Sequence, residues 1–257
     1  MKVVILCGGL GTRLREETEF RPKPMVPIGG RPILWHIMKT YAHYGHKEFI
    51  LCLGYKGEVI KDYFRNYNWS TSDVTLTLGR TPAIEYQSNH DEEDWKVTMV
   101  DTGQETMTGG RLKRVLKFIG DEEDFLMTYG DGLTNSDINA SIRCHKEHGA
   151  IATLTAVHPI GRFGALTIED GEVRIFHEKP ENELQPVNGG FFVFKKAIGE
   201  YLDGDSCVLE RTPLERLARA GQLKAYSHKG FWQCMDTYRE TEMLNKMWAE
   251  GAPWKVW

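Results

Sequence analysis

The sequence has no apolar run of membrane-spanning length, because glycine breaks the first hydrophobic stretch at Gly8. It also lacks the charged, apolar, small-residue order of a signal peptide, so a cytoplasmic protein without a membrane partner is expected. Basic runs are missing. The 36 acidic residues outnumber 32 basic ones, and the net charge of −4 leaves no electrostatic footprint for nucleic acid. Cysteine is sparse: Cys7, Cys52, Cys144, Cys207 and Cys234 form an odd, scattered set with no C-x-x-C pair. That argues against a disulfide framework and against a zinc site, and leaves five reduced thiols. Repeats and low-complexity segments are absent too. What remains is 257 residues with 41% hydrophobic content, enough to bury a full core.

Up to residue 157, short apolar runs alternate with amphipathic stretches, the pattern of strand-helix-strand units in a parallel sheet. Strands are expected at Val3–Leu6, Phe49–Leu53, Phe125–Tyr129 and Ile151–Val157. Helices are expected from Pro32 to Gly45, over Val59–Tyr67, and from a Ser136 cap to His148. Beyond 163 the runs Phe163–Ile168, Val173–Phe176 and Gly190–Phe194 are short and turn-bounded, so antiparallel pieces join the parallel core. Helices over Leu209–Ala220 and Tyr238–Glu250 finish the chain, and the polar stretch 79–95 reads as a loop or flap. The apolar tail Ala252–Trp257 should pack on the body or on another subunit.

The chemistry concentrates where the first strand ends, at Leu6-Cys7-Gly8-Gly9-Leu10-Gly11-Thr12-Arg13-Leu14. Glycines there let the backbone approach a ligand and present unpaired N–H groups, which makes an anion cradle. The loop is not a Walker motif, which needs a Gly-Lys-Ser/Thr ending, and Leu14 stands where a dinucleotide fingerprint has its third glycine. Such glycines alone can simply turn a corner. Lys23, held between Pro22 and Pro24, adds a positioned cation. Asp131, between two glycines after a strand, fits a ligand-binding crevice of an open α/β sheet, or a turn. By position alone Asp236 reads as the N-cap of the last helix. His145 and His148, three apart on one helix, read as a solvated face rather than a metal pair.

L-x-G-G-x-G-T-R-L with a downstream P-K-P resembles the sugar-phosphate nucleotidyltransferases, Cys7 replacing the alanine usual in that family. The likeness runs through V-D-T-G-Q-E-T-M-T-G-G-R-L-K-R-V (100–115), T-Y-G-D-G (128–132), G-R-F-G-A-L (161–166), E-K-P (178–180), N-G-G-F-F-V (188–193) and G-F-W-Q-C-M-D-T (230–237). It implies a Rossmann-like three-layer α/β/α fold with a mixed, mostly parallel central sheet and small antiparallel additions. It further implies a single domain over 1–257, divided into a nucleotide-binding core (1–157) and a sugar-phosphate part with the C-terminal helices (158–257). The family members resembled here transfer a cytidylyl group from CTP to α-D-glucose 1-phosphate with Mg²⁺, as homo-oligomers.

By this resemblance Leu6 to Arg13, Lys23, Thr106, Arg111 and Gly130 bind the nucleotide, with Arg111 facing the acceptor edge of the base. Glu178, Lys179, Asn188 and Gly189 hold the sugar phosphate, and Asp131 and Asp236 hold the metal. The chemistry agrees, since a sugar phosphate is already an anionic nucleophile and attack on the α-phosphorus needs cations and alignment rather than a general base. Arg13, Lys23 and Asp131 are accordingly the expected catalytic residues. The same motifs would serve a uridylyl or thymidylyl transferase, or a nucleotide-sugar sensor that has lost turnover. A dinucleotide oxidoreductase is disfavoured because the second strand ends Leu53-Gly54-Tyr55-Lys56, without an acidic residue for the ribose.

Overall fold

The computed structural model of the chain describes residues 1–87, 92, 94–159, 165–169, 172–177 and 185–257. Its frame is a seven-stranded sheet made of β1 (Val3–Leu6), β2 (Glu48–Leu53), β3 (Lys96–Asp101), β4 (Asp124–Tyr129), β5 (Ala152–Val157), β6 (Val187–Lys195) and β7 (Leu223–His228), in the spatial order β7-β5-β6-β4-β1-β2-β3. All neighbouring pairs are parallel except those made by β6, which runs antiparallel to both β4 and β5. The sheet is thus mixed and mostly parallel. Four two-stranded additions flank it.

Alternate residues of a strand point to opposite faces, and here both faces are covered. Val3, Ile5, Phe49, Leu51, Leu126, Phe191 and Val193 join one core cluster beneath α1 (Ile33–His43), α2 (Gly57–Arg65) and α4 (Ile138–His148). Val4, Leu6, Ile50, Cys52, Phe125, Met127, Phe192 and Phe194 join the other, beneath α3 (Thr108–Ile119) and α5 (Thr212–Arg219). The result is the three-layer α/β/α arrangement. A strand buried on both sides must be apolar at every position, which is why β1, β2 and β4 read as continuous hydrophobic runs.

The tail packs on the body. Trp254 is fully buried, and its ring lies 5.6 Å from Phe231 and 6.3 Å from Trp248 of α6 (Tyr238–Glu250). His36 sits at the centre of this aromatic cluster: Nε2–H donates to the Ile28 carbonyl at 2.8 Å and Nδ1 accepts from Trp254 Nε1 at 3.4 Å. Burial drives the His36 pKa from 6.5 down to about 4.

Several expectations are corrected. Asp137, not Ser136, caps α4, its Oδ1 accepting from Ala140 N at 2.9 Å. His145 faces inward at 1% exposure, and its Nδ1 and the Nε2 of His148 share the Thr153 hydroxyl at 2.7 and 2.8 Å. Part of the stretch read as a loop over 79–95 is a strand, Ala83–Tyr86, paired with Val74–Thr77. The helix expected over Val59–Tyr67 ends at Arg65, and a separate turn of helix covers Tyr67–Thr71. The helix expected from Leu209 starts at Thr212.

Candidate active site

β1 and β4 are adjacent and parallel, and their C-terminal ends open into one crevice, the place where open α/β sheets bind ligands. Gly130 N donates to the Leu6 carbonyl at 3.0 Å, which joins the two exits. The cleft there encloses about 410 Å³. Leu6 to Thr12 form one wall, Gln104 to Thr108 with Arg111 the other, and Lys23, Pro24 and Tyr129 to Asp131 the floor.

Two glycines are dictated by close approach. A Cβ on Gly130 would lie 2.7 Å from Pro24 Cγ, so the bare backbone lets the Pro22-Lys23-Pro24 turn come down beside Asp131. A Cβ on Gly8 would lie 2.0 Å from Arg111 Nη1, so the loop folds against that guanidinium only as glycine. Pro22 is extended and Lys23–Met25 form a single 3₁₀ turn, which holds the Lys23 backbone while its side chain points into the cleft floor.

Lys23 is the hub. Its Nζ donates to Asp131 Oδ2 at 2.6 Å and to Asp236 Oδ1 at 2.7 Å, while Arg13 Nη1 donates to Asp236 Oδ2 at 2.9 Å. The Lys23 and Asp236 side chains are 11% and 13% exposed, whereas that of Arg13 is 72% exposed. Burial pulls the Lys23 ammonium down, but the charges and hydrogen bonds of Asp131 and Asp236 outweigh it and leave the pKa above its ordinary value. Burial likewise pushes Asp236 up, and Lys23 with Arg13 reverses this, holding the carboxyl below the usual carboxylate range. The Cys234 thiol donates to Asp236 Oδ2 at 3.5 Å and is pushed up to about 12 by burial and then by that carboxylate, so it stays protonated.

Asp236 is brought here by the pairing of Trp232–Cys234 with Gly132–Thr134 and by the bond from Met235 N to the Asp131 carbonyl at 2.9 Å. It is not the helix cap. Thr237 caps α6 in a capping box with Glu240, whose Oε2 accepts from Asp236 N at 2.7 Å and Thr237 N at 2.9 Å. The Asp236 carboxylate is therefore left to the cleft. The signal was present as Thr237-x-x-Glu240, the spacing of a capping box.

Arg111 stands at the edge of the cleft with its donors turned into the protein. It lines the cleft, yet it is 4% exposed and all four terminal N–H groups have acceptors inside the protein. Nη1 donates to the Leu53 carbonyl at 3.0 Å and Thr102 Oγ1 at 2.8 Å, and Nη2 to the carbonyls of Gly8 and Gln104, each at 3.1 Å. In this structure its terminal donors are spent on these acceptors. Thr106 is among the residues that line the cleft. Asn188 and Gly189 lie where β6 enters the sheet beside the exit of β4; Asn188 Oδ1 accepts from Gly190 N at 2.9 Å and the Gly189 carbonyl accepts from Trp232 Nε1 at 2.7 Å. Glu178 and Lys179 fall outside the described residues. Sequence reasoning missed the brace across the cleft, where Glu210 accepts from Tyr129 Oη and, at 2.7 Å, from Thr108 Oγ1; an exposed glutamate in a polar stretch carries no pattern that marks it.

The arrangement gathers two cations and two carboxylates beneath a glycine-rich loop. Among the described residues no larger cluster of histidine, cysteine and carboxylate ligands forms. Two carboxylates converging on one ammonium suit Mg²⁺, which takes one or two carboxylates and keeps its other positions for water and phosphate oxygens.

The profile of the nucleotidyl transferase family matches residues 2–233. Over the full length of both chains, the sequence is 54% identical to glucose-1-phosphate cytidylyltransferase of Salmonella typhi and 48% identical to the probable glucose-1-phosphate cytidylyltransferase of Bacillus subtilis. Among solved structures, HddC from Yersinia pseudotuberculosis superposes with a TM-score of 0.70 at 24% identity, covering 96% of this chain and 99% of that one, a likeness of fold. This chain belongs to the nucleotidyl transferase family, with glucose-1-phosphate cytidylyltransferases among its full-length relatives.

Proposed function

We propose that the protein joins CTP to α-D-glucose 1-phosphate, giving CDP-glucose and pyrophosphate. The observation that carries the reading is the Lys23–Asp131–Asp236 hub at the crossing of the β1 and β4 exits, in a chain whose full-length relatives are glucose-1-phosphate cytidylyltransferases. A phosphate oxygen of glucose 1-phosphate attacks the α-phosphorus of CTP. The bond from that phosphorus to the β-phosphate bridge breaks, and the electron pair leaves with pyrophosphate. No proton has to be removed from the nucleophile. The loop Gly8 to Thr12 presents backbone N–H groups to the triphosphate, Arg13 and Lys23 oppose its charge, and Asn188 with Gly189 positions the sugar. Asp131 and Asp236 would hold Mg²⁺, which when bound neutralises phosphate oxygens and fixes their line of attack. Arg111 is a positioning residue that fastens the loop to the ends of β2 and β3.

The protein works in the cytoplasm, a setting that suits its five unpaired thiols, and among the described residues no helix is long and apolar enough to cross a membrane. It acts as a homo-oligomer. The hairpin Val74–Thr77/Ala83–Tyr86 exposes Leu76, Ile84 and Tyr86, with Leu78 in its turn, and a two-stranded hairpin is marginal in water until something covers it. Sedimentation equilibrium tests this, a monomer being the contrary result. The activity is tested by pyrophosphate release with Mg²⁺, each of CTP, UTP, dTTP and GTP, and a panel of sugar 1-phosphates. CTP with glucose 1-phosphate should be fastest; preference for another pair would reassign the substrates and leave the chemistry.

A further inference from the structure

Both carboxylates read above as metal ligands already hold cations that belong to the protein. Lys23 Nζ bridges Asp131 Oδ2 and Asp236 Oδ1 at 2.6 and 2.7 Å, and Arg13 Nη1 covers the other oxygen of Asp236 at 2.9 Å. A divalent ion bound to the same oxygens would sit about 2 Å from each. It would then face the ammonium at close range in a partly buried site, where like charges repel strongly. Lys23 cannot keep both contacts when such an ion enters. Its backbone is pinned between Pro22 and Pro24, so only the side chain can move, and the open volume beside it is the cleft lined by Gly8 to Thr12. Arg13, largely exposed and on the same loop, is equally free to turn.

We propose that Lys23 and Arg13 are resident counter-cations of the Asp131–Asp236 pair and are handed over to the triphosphate when metal and nucleotide enter, so that metal affinity and anion affinity are coupled through these two side chains. The inference rests on the reading of Asp131 and Asp236 as the metal pair. The free protein then binds a divalent ion weakly, because each oxygen must first lose its internal partner. An anion in the loop draws the cations away and tightens the metal site, and by linkage the metal tightens the anion site by the same factor.

The test is a Mn²⁺ titration of the full chain without nucleotide, following the electron paramagnetic resonance of the free ion. Lys23→Met, which keeps the stem and removes the charge, should bind Mn²⁺ about tenfold or more tightly than the wild type. Arg13→Met should show a smaller gain in the same direction. Adding sulfate should tighten Mn²⁺ binding in the wild type and do so less in Lys23→Met, where only Arg13 remains to be drawn away. Adding Asp131→Asn or Asp236→Asn to Lys23→Met should abolish binding, which fixes the ion to this pair. If Lys23→Met does not fold, Arg13→Met carries the test, since its side chain is exposed. Carboxylate-dependent Mn²⁺ binding that is unchanged or weakened in the variant measured would overturn the hand-over and leave the metal pair standing. No carboxylate-dependent binding in any variant would overturn the metal pair itself, and the hand-over with it.

Discussion

Lys23 in the floor and Arg111 in one wall are both cations of one cleft, and they are held by different kinds of partner. Lys23 sits between two carboxylates with its backbone clamped by prolines. Arg111 reaches from α3 into a nest of three carbonyls and a hydroxyl. The first set of partners is charged and can be exchanged for other anions or cations. The second is backbone apart from the Thr102 hydroxyl, fixed by the parallel sheet at the ends of β2 and β3 and by the loop itself. Where a cation is satisfied by carboxylates it is available for chemistry, and where it is satisfied by carbonyls it is committed to structure.

Substitutions should separate the two along that line. The largest effect belongs to the carboxylates. Asp131→Asn and Asp236→Asn should each remove nearly all turnover and metal dependence in a pyrophosphate-release assay. Asp236→Asn should leave α6 intact by circular dichroism, because Thr237 is the cap; a wild-type rate would remove Asp236 from the metal site. Next, Lys23→Ala and Arg13→Ala should lower kcat about 10²–10³-fold, the usual cost of losing one preorganised donor to developing charge. A rise in KM at constant kcat would mean they grip ground and transition states alike.

Arg111→Ala should act on the fold first. It removes a buried guanidinium and the four hydrogen bonds by which it ties Gly8, Leu53, Thr102 and Gln104 together, at a cost of about 3 kcal/mol in chemical unfolding. It should depress kcat/KM for CTP and UTP by the same factor; a loss confined to CTP would restore Arg111 to the base edge and break the comparison. The smallest effect at the cleft is expected from acid acting on His36, which sits in the aromatic cluster under the C-terminal tail. Its pKa falls from 6.5 in the unfolded chain to about 4 in the fold. The stability it contributes is complete above pH 6.5 and is lost as pH drops from 6.5 towards 4, because the unfolded chain takes up the proton first. The loss reaches on the order of 3 kcal/mol. A thermal melt series from pH 7 to 4.5 on wild type and His36→Gln should show a shallower slope for the variant.

The centre of the sheet was legible and its edges were not, for one reason. β1, β2 and β4 have strand neighbours on both sides and helices on both faces, so burial writes an unbroken apolar run. β3 and β7 are the two edge strands, and Lys96-Val97-Thr98-Met99-Val100-Asp101 and Leu223-Lys224-Ala225-Tyr226-Ser227-His228 are too polar to stand out. The site divides in the same way. The glycine loop and Lys23 are contiguous motifs and could be read directly. The part of Arg111 depends on burial and on carbonyls of Gly8, Leu53 and Gln104, two of them distant in sequence, which a sequence carries only as a charge. The fold brings Asp236 to Asp131 through the short ladder between Trp232–Cys234 and Gly132–Thr134, a pairing no local pattern announces.

The central claim is that the Lys23–Asp131–Asp236 hub is where a cytidylyl group changes hands. It is tested most directly with CTP radiolabelled at the α-phosphate, glucose 1-phosphate and Mg²⁺, comparing wild type with Asp236→Asn. The wild type should move the label into CDP-glucose only when the divalent ion is present, and the variant should leave it in CTP. Label transfer by Asp236→Asn at the wild-type rate, or by the wild type without a divalent ion, would contradict the account.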